Sequence, residues 1–262
     1  MRLATFIVPD GSIARAGEVR EDRVVAFADE RTTVLDCLRH PNVSSADGPS
    51  FELAEVMLLA PIARPRAIFG IGMNYADHVA ELGGTAPEAP LVFMKLPSSC
   101  APPNAPVHCP NVVKRLDYEG ELAVVIGSGG QVAGYVIADD LTARDLQGRE
   151  PQWTRAKGAD GFCPCGPWIT TVEEIPDAHA LRLRTSVNGE LRQDSSTSNL
   201  IFKIPELVEF ISETCTLEPG DLILTGTPGG VGMGLKPARF LSSGDTVLIE
   251  IERLGAIEHS IA

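Results

Sequence analysis

Short apolar runs broken by turns make up most of this chain, and few segments have the spacing of a helix. Leu91–Lys95 is one such apolar run, and Val247, Ile249 and Ile251 alternate with polar residues late in the chain. Alternation with period two places one face of a strand on a core and the other toward water. The strands are not regularly separated by helices. The pattern therefore favours a mostly β, mixed-sheet fold with peripheral helices, an α+β class, over a doubly wound fold.

Local signals predict one hairpin and two helices. Residues 181–187 alternate and end in Asn188-Gly189, a strong hairpin signal. Residues 204–215 have the clearest helical spacing, with Pro205 in the first turn, where a missing backbone N–H costs little. A shorter helix is predicted for residues 74–82, with Asn74 as its N-cap.

The first 57 residues have a pattern of their own. Short apolar runs separated by charged turns predict a small β-rich lobe at residues 1–57. The polar stretch at residues 44–50 is the expected linker, and Pro61 and Pro65 would stiffen the entry to the second domain. The remaining residues, 58–262, are numerous enough to bury a full core and form the expected main domain.

Three carboxylates follow one another at period two in Asp-Tyr-Glu-Gly-Glu, residues 117–121. On one continuous strand, Asp117, Glu119 and Glu121 would point to one face and Tyr118 and Leu122 to the other. Like charges at this spacing raise one another's pKa and destabilise the strand unless a cation lies among them. Two interpretations stay open from this run: the face is solvated, or it holds a divalent metal ion.

Charge and composition narrow the kinds of partner and metal. The net charge of −13 disfavours nucleic acid and anionic membranes as partners. No apolar run reaches the ~20 residues of a membrane span, and no signal peptide is recognised, so a cytoplasmic location is expected. The six cysteines are scattered and predict no disulfide framework. Because the histidines do not cluster either, a metal would have oxygen ligands and would be magnesium, manganese or calcium.

His78 and Glu81 are three residues apart, so both lie on one side of a helical turn. A carboxylate beside an imidazole orients the ring and raises its basicity, which suits a water-activating base. An ordinary surface pair has the same spacing, so this segment alone does not decide between the two.

A second group of polar residues follows the predicted strand at residues 132–137. Asp139 and Asp140 come at its end, and either could simply be the N-cap of a helix. Arg144 and Gln147 are three residues apart, and Arg144 is four residues after Asp140. One helix face could therefore present an acid, a cation and an amide together.

Two glycine-rich segments add a cation and an anion-binding turn. Lys157 lies in a loop rich in glycine and proline, where ordinary solvated charge is the simpler explanation. A strand at residues 221–225 leads into Gly226-Thr227-Pro228-Gly229-Gly230, whose free amides and hydroxyl could bind an anion. No Gly-Lys-Ser/Thr follows, so this turn is not a Walker loop.

Five motifs occur in a fixed order along residues 72–232. They are Gly-Met-Asn-Tyr-Ala-Asp-His-Val-Ala-Glu, Asp-Tyr-Glu-Gly-Glu-Leu, Asp-Leu-Thr-Ala-Arg-Asp-Leu-Gln, Lys-Gly-Ala-Asp-Gly-Phe-Cys-Pro and Leu-Thr-Gly-Thr-Pro-Gly-Gly-Val-Gly. Each is weak alone, but in this order they closely resemble the fumarylacetoacetate hydrolase family in its short prokaryotic-type form. The resemblance covers roughly residues 60–260.

The resemblance implies a fold, an assembly and a set of site residues. The fold is a rolled, partly closed mixed β-sheet domain, and the assembly is a homodimer. The metal is Mg²⁺ or Mn²⁺, with Ca²⁺ able to bind in vitro. The implied metal ligands are Glu119, Glu121 and Asp140; the implied catalytic residues are His78 with Glu81, and Arg144, Gln147 and Lys157 for the oxyanion; the implied substrate contacts are Thr227 and Lys95.

Two positions depart from the family pattern. Larger members carry a further aspartate ligand where this chain has Asn74, so three protein carboxylates are expected, with water or substrate completing the shell of the ion. Asp139 stands where many relatives have asparagine, and alignment of the motifs favours Asp140 as the ligand. Asp117 shares the predicted strand face but is not a family ligand.

The implied function is metal-assisted hydrolysis of a carbon–carbon bond in a 1,3-diketo acid, such as an acylpyruvate, fumarylpyruvate or fumarylacetoacetate. His78 would activate water, and the cations would stabilise the oxygen anion that develops. Relatives of this architecture also isomerise hydroxymuconate-type acids such as 2-hydroxyhepta-2,4-diene-1,7-dioate, or decarboxylate oxaloacetate. Both activities stay open as alternatives, with an inactive metal-binding protein as a more remote one.

Overall fold

The computed structural model describes residues 1–9, 11–40 and 44–262, and strands dominate it. The strands are β1 (Arg2–Ile7), β2 (Ala14–Arg20), β3 (Arg23–Ala26), β4 (Ser50–Glu52), β5 (Met57–Leu59), β6 (Ile68–Gly72), β7 (Leu91–Lys95), β8 (Cys100–Ala101), β9 (Leu116–Asp117), β10 (Gly120–Ile126), β11 (Val132–Asp139), β12 (Thr142–Ala143), β13 (Cys163–Thr171), β14 (Arg182–Val187), β15 (Glu190–Ser196), β16 (Leu222–Leu224), β17 (Thr246–Ile251) and β18 (Gly255–Ser260). The α-helices are α1 (Val34–Arg39), α2 (Ala76–Glu81), α3 (Arg144–Gln147), α4 (Thr154–Lys157) and α5 (Ile204–Ser212). Short 3₁₀ helices span Leu53–Glu55, Pro97–Ser99, Ser128–Gly130, Val172–Glu174 and Thr197–Asn199. The predicted sheet-dominated class is confirmed.

A large mixed sheet has the strand order β4-β3-β2-β1-β13-β11-β10-β16-β6-β7. Most neighbours are antiparallel, while β16 and β6 are parallel. Every residue of β10 is buried. Its Leu122, Val124 and Ile126 belong to one apolar core, and Ala123 and Val125 belong to another. Because both faces of β10 are covered, its sequence is a continuous apolar run.

A second sheet, ordered β15-β14-β17-β18, packs beside the start of β10. The hairpin between β14 and β15 turns at Asn188 and Gly189, whose φ angles of 51° and 76° suit a type I′ turn. The predicted hairpin is therefore confirmed. The sheets approach closely at Gly120, where an added Cβ would lie 2.3 Å from Thr185 Oγ1 of β14.

The strands before residue 58 share the large sheet. β1 pairs with β13, with Arg2 opposite Thr170 and Leu3 opposite Ile169. The polar stretch at residues 44–50 packs back on β2, since the N–H of Ala46 donates to the Glu18 carboxylate at 3.2 Å. It leads into β4, which pairs with β3. The division into residues 1–57 and 58–262 stays a prediction.

The helices differ from expectation at their ends. Helix α5 begins at residue 204 as predicted but ends at Ser212, before residue 215. Helix α2 begins at Ala76, so the prediction of Asn74 as its N-cap was wrong. The Asn74 amide instead donates to the Thr225 carbonyl at 2.8 Å and the Phe202 carbonyl at 3.1 Å. No helix among the described residues has the length and apolarity needed to cross a bilayer.

The acidic run is not one strand, so that prediction was also wrong. β9 ends at Asp117, β10 begins at Gly120, and Tyr118 and Glu119 lie between them. The strand is interrupted there because β9 pairs with β12 while β10 pairs with β11. The same short β12 separates Asp140 from helix α3, so neither Asp139 nor Asp140 is the N-cap of a helix.

Candidate active site

Three buried carboxylates meet where β11 ends beside the start of β10. Glu119 lies just before β10, Glu121 lies within it, and Asp140 directly follows β11. The antiparallel register of β10 and β11 places Gly120 opposite Asp139, which brings these residues together. One oxygen from each carboxylate lies within 4.8 Å of the others, and the most exposed of the three residues, Glu119, is 5% exposed. This carboxylate triad could hold a divalent metal ion.

Two lysines are buried against the triad. Lys157 Nζ lies 2.7 Å from Glu119 Oε2 and 2.6 Å from Asp140 Oδ2. Lys95 Nζ donates to Asp140 Oδ1 at 2.6 Å and also to the backbone carbonyl of Lys157. Burial acts to lower the pKa of Lys157, but Asp140 and Glu119 outweigh it and raise that pKa. Lys157 is therefore an ammonium ion, and Lys95, an expected substrate contact, is bonded to a triad carboxylate.

Arg144 connects the triad to Asp117. Its Nε donates to Asp117 Oδ2 at 2.8 Å, and its Nη2 lies 2.6 Å from Glu119 Oε1. Its Nη1 donates to Gln147 Oε1 at 3.0 Å. Asp117 also accepts from the backbone N–H groups of residues 232 and 233 at 2.7 and 3.0 Å. Asp117 thus ties the arginine to the glycine-rich turn, a role that its place in the acidic run does not reveal.

The charges of this site do not balance. Among the described residues, four carboxylates (Asp117, Glu119, Glu121 and Asp140) face three cations (Lys95, Arg144 and Lys157). Burial acts to raise the pKa of Glu119, but Lys157 and Arg144 outweigh it and lower that pKa to about 2. This carboxylate is therefore ionised at neutral pH.

Glu121 is the triad member without an ion pair to a described cation. Its Oε2 accepts the N–H of Gly226 at 2.7 Å. Burial, with the nearby charges of Asp140 and Glu119, raises the pKa of Glu121 well above its usual value. A buried carboxylate placed between two others fits a divalent cation with oxygen ligands. Such an ion would favour the ionised form of Glu121 and add positive charge beside the cavity, which suits an anionic substrate.

His78 and Glu81 lie on one side of α2, as their spacing predicts. His78 is 5% exposed, and its Nδ1 lies 3.4 Å from Glu81 Oε2, a contact longer than a good hydrogen bond. Glu81 Oε1 accepts the N–H of Gly230 at 2.9 Å. The glycine-rich turn therefore holds the carboxylate that faces the imidazole.

The amides of the glycine-rich turn bind anions, as the sequence suggests, but these anions are the protein's own carboxylates. The N–H groups of residues 226, 230 and 232 donate to Glu121, Glu81 and Asp117 in turn. Gly226 has a φ of 105°, which residues with a side chain rarely adopt. The turn is thus a scaffold for three acidic side chains of the site.

Thr227 and Gln193 attach this turn to β10. Thr227 Oγ1 donates to the carbonyl of Gly120 at 3.0 Å and accepts from Gln193 Nε2 at 2.8 Å. Gln193 Oε1 accepts the N–H of Gly120 at 3.1 Å. Gln193 is one polar residue among several on β15, and nothing in the sequence distinguishes it.

A buried pair, Asp139 and His259, supports Glu119 from behind. Asp139 Oδ2 lies 2.8 Å from His259 Nε2, and Asp139 Oδ1 accepts the N–H of Glu119 at 2.8 Å. The N–H of Asp140 donates to the carbonyl of Glu119 at 2.9 Å. Both backbone groups of Glu119 are therefore fixed. His259 is a lone histidine on β18 and gave no signal in the sequence, while Asp140 rather than Asp139 joins the triad.

A cavity of about 40 Å³ opens beside the triad. Its polar lining is His78, Glu119, Lys157 and Thr227, and the rest is Ile71, Gly72, Met73, Phe93 and Trp153. The structure thus brings an implied base, metal ligand, cation and substrate contact to one space. Arg144 contacts Glu119 and Gln147, and neither Arg144 nor Gln147 lines this cavity.

The sequences and structures of known proteins identify the family. The family model for the fumarylacetoacetate (FAA) hydrolase C-terminal domain matches residues 67–262. The chain belongs to the fumarylacetoacetate hydrolase family. The family predicted from the five motifs is therefore confirmed.

The family relatives include enzymes with several names. An oxaloacetate tautomerase of Bacillus subtilis, YisK, is 46% identical, covering 80% of this chain and 75% of its own length. The fumarylacetoacetate hydrolase from psychrophilic Exiguobacterium antarcticum has a TM-score of 0.90 and 35% identity, covering 100% of this chain and 99% of that one. The 5-carboxymethyl-2-hydroxymuconate delta-isomerase from Mycobacterium smegmatis has a TM-score of 0.83 and 38% identity, with the same coverage. The chain is thus a member of an enzyme family with tautomerase and isomerase relatives, and hydrolysis stays a prediction.

Proposed function

We propose that this protein interconverts the enol and keto forms of a small 2-oxo acid, with oxaloacetate the leading candidate, using a divalent metal ion. The observation that carries the proposal is that His78, Glu119 and Lys157 border one cavity. Enolisation needs a base for a carbon-bound proton and positive charge beside the oxygen that becomes negative. The relative named oxaloacetate tautomerase supports this choice of reaction.

Glu119, Glu121 and Asp140 would hold Mg²⁺ or Mn²⁺, because these hard cations take oxygen ligands. The bound ion would supply Lewis-acid stabilisation of the negative oxygen. Lys157 bonds to two of these carboxylates and also borders the cavity. Weakening of those two bonds would leave its ammonium group for an oxygen of the substrate.

His78 would move the proton at the substrate carbon. Its Nδ1 faces Glu81, which leaves Nε2 for the substrate. Glu81 would stabilise the protonated ring, and its own position is fixed by the N–H of Gly230. Since His78 is almost completely buried, its ring has little contact with bulk water.

The other implied residues divide between substrate and scaffold. Lys157 and Thr227 border the cavity and can bind substrate oxygens. Arg144 would act mainly by holding Glu119, with Gln147 holding the guanidinium in turn. Lys95 would neutralise Asp140 rather than contact the substrate.

Hydrolysis of a carbon–carbon bond in an acylpyruvate is the second candidate. The contact of His78 with Glu81 favours it, because a base beside a carboxylate is the arrangement that activates water. Both reactions would use the same cavity and triad. They differ in whether a water molecule attacks the substrate.

The test is a substrate panel with the purified protein, in excess Mn²⁺ and in EDTA. Loss of enol oxaloacetate is followed by ultraviolet absorbance, pyruvate release from acetylpyruvate by a coupled assay, and carbon dioxide release from oxaloacetate. We expect metal-dependent enol loss that is faster than the other two reactions. Dominant pyruvate release would favour hydrolysis, and enol loss that EDTA leaves unchanged would refute metal-dependent tautomerisation.

The homodimer implied by the resemblance belongs to this proposal as well. The resemblance to the family is the reason to expect it. Light scattering coupled to size-exclusion chromatography would test it, with twice the 27.9 kDa chain mass as the expected result.

A further inference from the structure

Two aromatic side chains form one wall of the cavity, and neither has a role in the proposed proton transfer. Phe93 comes from β7, and Trp153 directly precedes α4. Their ring centroids are 5.5 Å apart and their planes are inclined at 62°, an edge-to-face arrangement. We call Phe93 and Trp153 the aromatic wall.

The aromatic wall rests on two glycines of β6. A Cβ added to Gly70 would lie 2.2 Å from Cζ of Phe93, and one added to Gly72 would lie 2.9 Å from Cζ3 of Trp153. Any larger residue at Gly70 would push the phenyl ring outward. Both rings therefore pack against the backbone of the strand, which fixes the depth of the wall.

The wall faces the reacting groups directly. Phe93 and Trp153 line the same cavity as His78, Lys157 and Glu119. The ammonium nitrogen of Lys157 lies 5.0 Å from the centroid of the Phe93 ring, within the range of a cation–π contact. A substrate whose oxygens meet the polar groups would place part of its carbon chain against these rings.

We propose that the aromatic wall limits the length of the substrate, so that this protein selects four-carbon over seven-carbon 2-oxo acids. This proposal rests on the proposed enol–keto activity and specifies the substrate class of that same site. The cavity of about 40 Å³ holds only a few waters, at ~10–15 Å³ for each. A four-carbon acid is larger than this space, so the lining must open to admit it. A seven-carbon acid requires, in addition, that an aromatic ring leave its place.

The test compares two substrates in the full-length, Mn²⁺-loaded protein. They are enol oxaloacetate and 2-hydroxyhepta-2,4-diene-1,7-dioate, and the readout is the ratio of their kcat/KM values. One methylene in an apolar pocket changes kcat/KM by ~10- to 200-fold. The wild type should therefore prefer the shorter acid by at least ~10-fold, and Trp153→Ala should reduce this preference by at least ~10-fold.

Graded variants and a matched control distinguish an effect of the aromatic wall on substrate length from a general loss of stability. Trp153→Phe and Phe93→Leu should give intermediate ratios. Phe51→Leu removes a ring from the distant Phe6–Phe51 pair, whose centroids are 6.0 Å apart, and should leave the ratio unchanged. Thermal midpoints of all variants are measured so that only folded protein is compared.

Binding of unreactive acids tests the wall even if neither substrate is converted. Dissociation constants for oxalate and for heptanedioate are measured by calorimetry in Mn²⁺, and Trp153→Ala should gain affinity for the longer acid alone. Absence of turnover with this gain would refute the enol–keto function and keep the wall. A wild type that accepts both acids equally, or a ratio that Trp153→Ala and Phe93→Leu leave unchanged, would overturn the length limit.

Discussion

Glu121→Gln should change stability in opposite directions without and with a divalent metal. Glutamine keeps the shape of the side chain, and its carbonyl oxygen can still accept the N–H of Gly226. The substitution removes the negative charge that lies beside Glu119 and Asp140 without an ion pair to a described cation. It also removes one proposed ligand of the ion.

Without metal, the sign follows from the raised pKa of Glu121. The contribution of Glu121 to stability is fully present below the ordinary value of 4.5 and is lost as the pH rises through the raised pKa. The loss is ~1.4 kcal/mol for each pH unit in that window. For a domain of this size 1 kcal/mol moves Tm by ~2–4 °C, so Glu121→Gln should gain ~3–6 °C over the wild type per pH unit.

With metal, the order should reverse. A ligand at 100 times its Kd stabilises the native state by ~2.7 kcal/mol, which corresponds to ~5–11 °C in Tm for the wild type. If the lost carboxylate weakens binding by about 100-fold, the same concentration stabilises the variant by only ~0.4 kcal/mol, or ~1 °C. The metal therefore moves the difference by ~2.3 kcal/mol toward the wild type, which exceeds the ~1.4 kcal/mol advantage of the variant one pH unit above 4.5 and reverses the order there.

The assay is differential scanning calorimetry across the pH range in EDTA and in MnCl₂. Glu119→Gln is the matched control, because it takes one of two buried carboxylate partners from both Lys157 and Arg144, so it should lower stability even without metal. A Glu121→Gln variant that is less stable than the wild type in EDTA would refute the charge argument. A full Mn²⁺ shift in that variant would refute the ligand assignment.

Two further changes test the base and the support of Glu119. His78→Ala should lower kcat by ~10²- to 10⁴-fold, and calorimetry should show an unchanged affinity for Mn²⁺. His108 is exposed, so His108→Ala should alter neither kcat nor this affinity. Weakened metal binding in His78→Ala would instead make His78 part of the metal site. His259→Leu should weaken Mn²⁺ binding by ~10- to 100-fold, since it frees Asp139 from its buried partner. His259→Gln keeps an N–H donor and should restore most of that affinity, and equal losses in both would refute the positioning role.

Much of the site could be predicted because its signals are local. The spacing of His78 and Glu81 places them on one side of α2, and the glycine-rich turn does bind carboxylates through its amides. Such signals depend on residues within a turn or a strand of one another, so the sequence contains them directly.

The missed features depend on partners that are distant in sequence. His259 meets Asp139 across 120 residues, and Gln193 meets Thr227 across 34. The strand is interrupted before β10 because β9 pairs with β12. The Asn74 amide donates to the Thr225 carbonyl instead of capping α2. Each of these contacts is decided by which strands become neighbours. A single sequence does not fix that choice, because a polar side chain satisfies a near or a distant backbone group equally well.

The pairing of β1 with β13 has a consequence for synthesis of the chain on the ribosome. Arg2 can pair only after Thr170 has been synthesised, 168 residues later in the chain. At ~5–20 residues per second, that wait lasts on the order of 10–30 s. During this time the β13-facing edge of β1 is open to other unfinished chains, and chaperone demand should be concentrated there. Slower translation of the segment before β13 should therefore increase aggregation, whereas slower translation after it should have little effect.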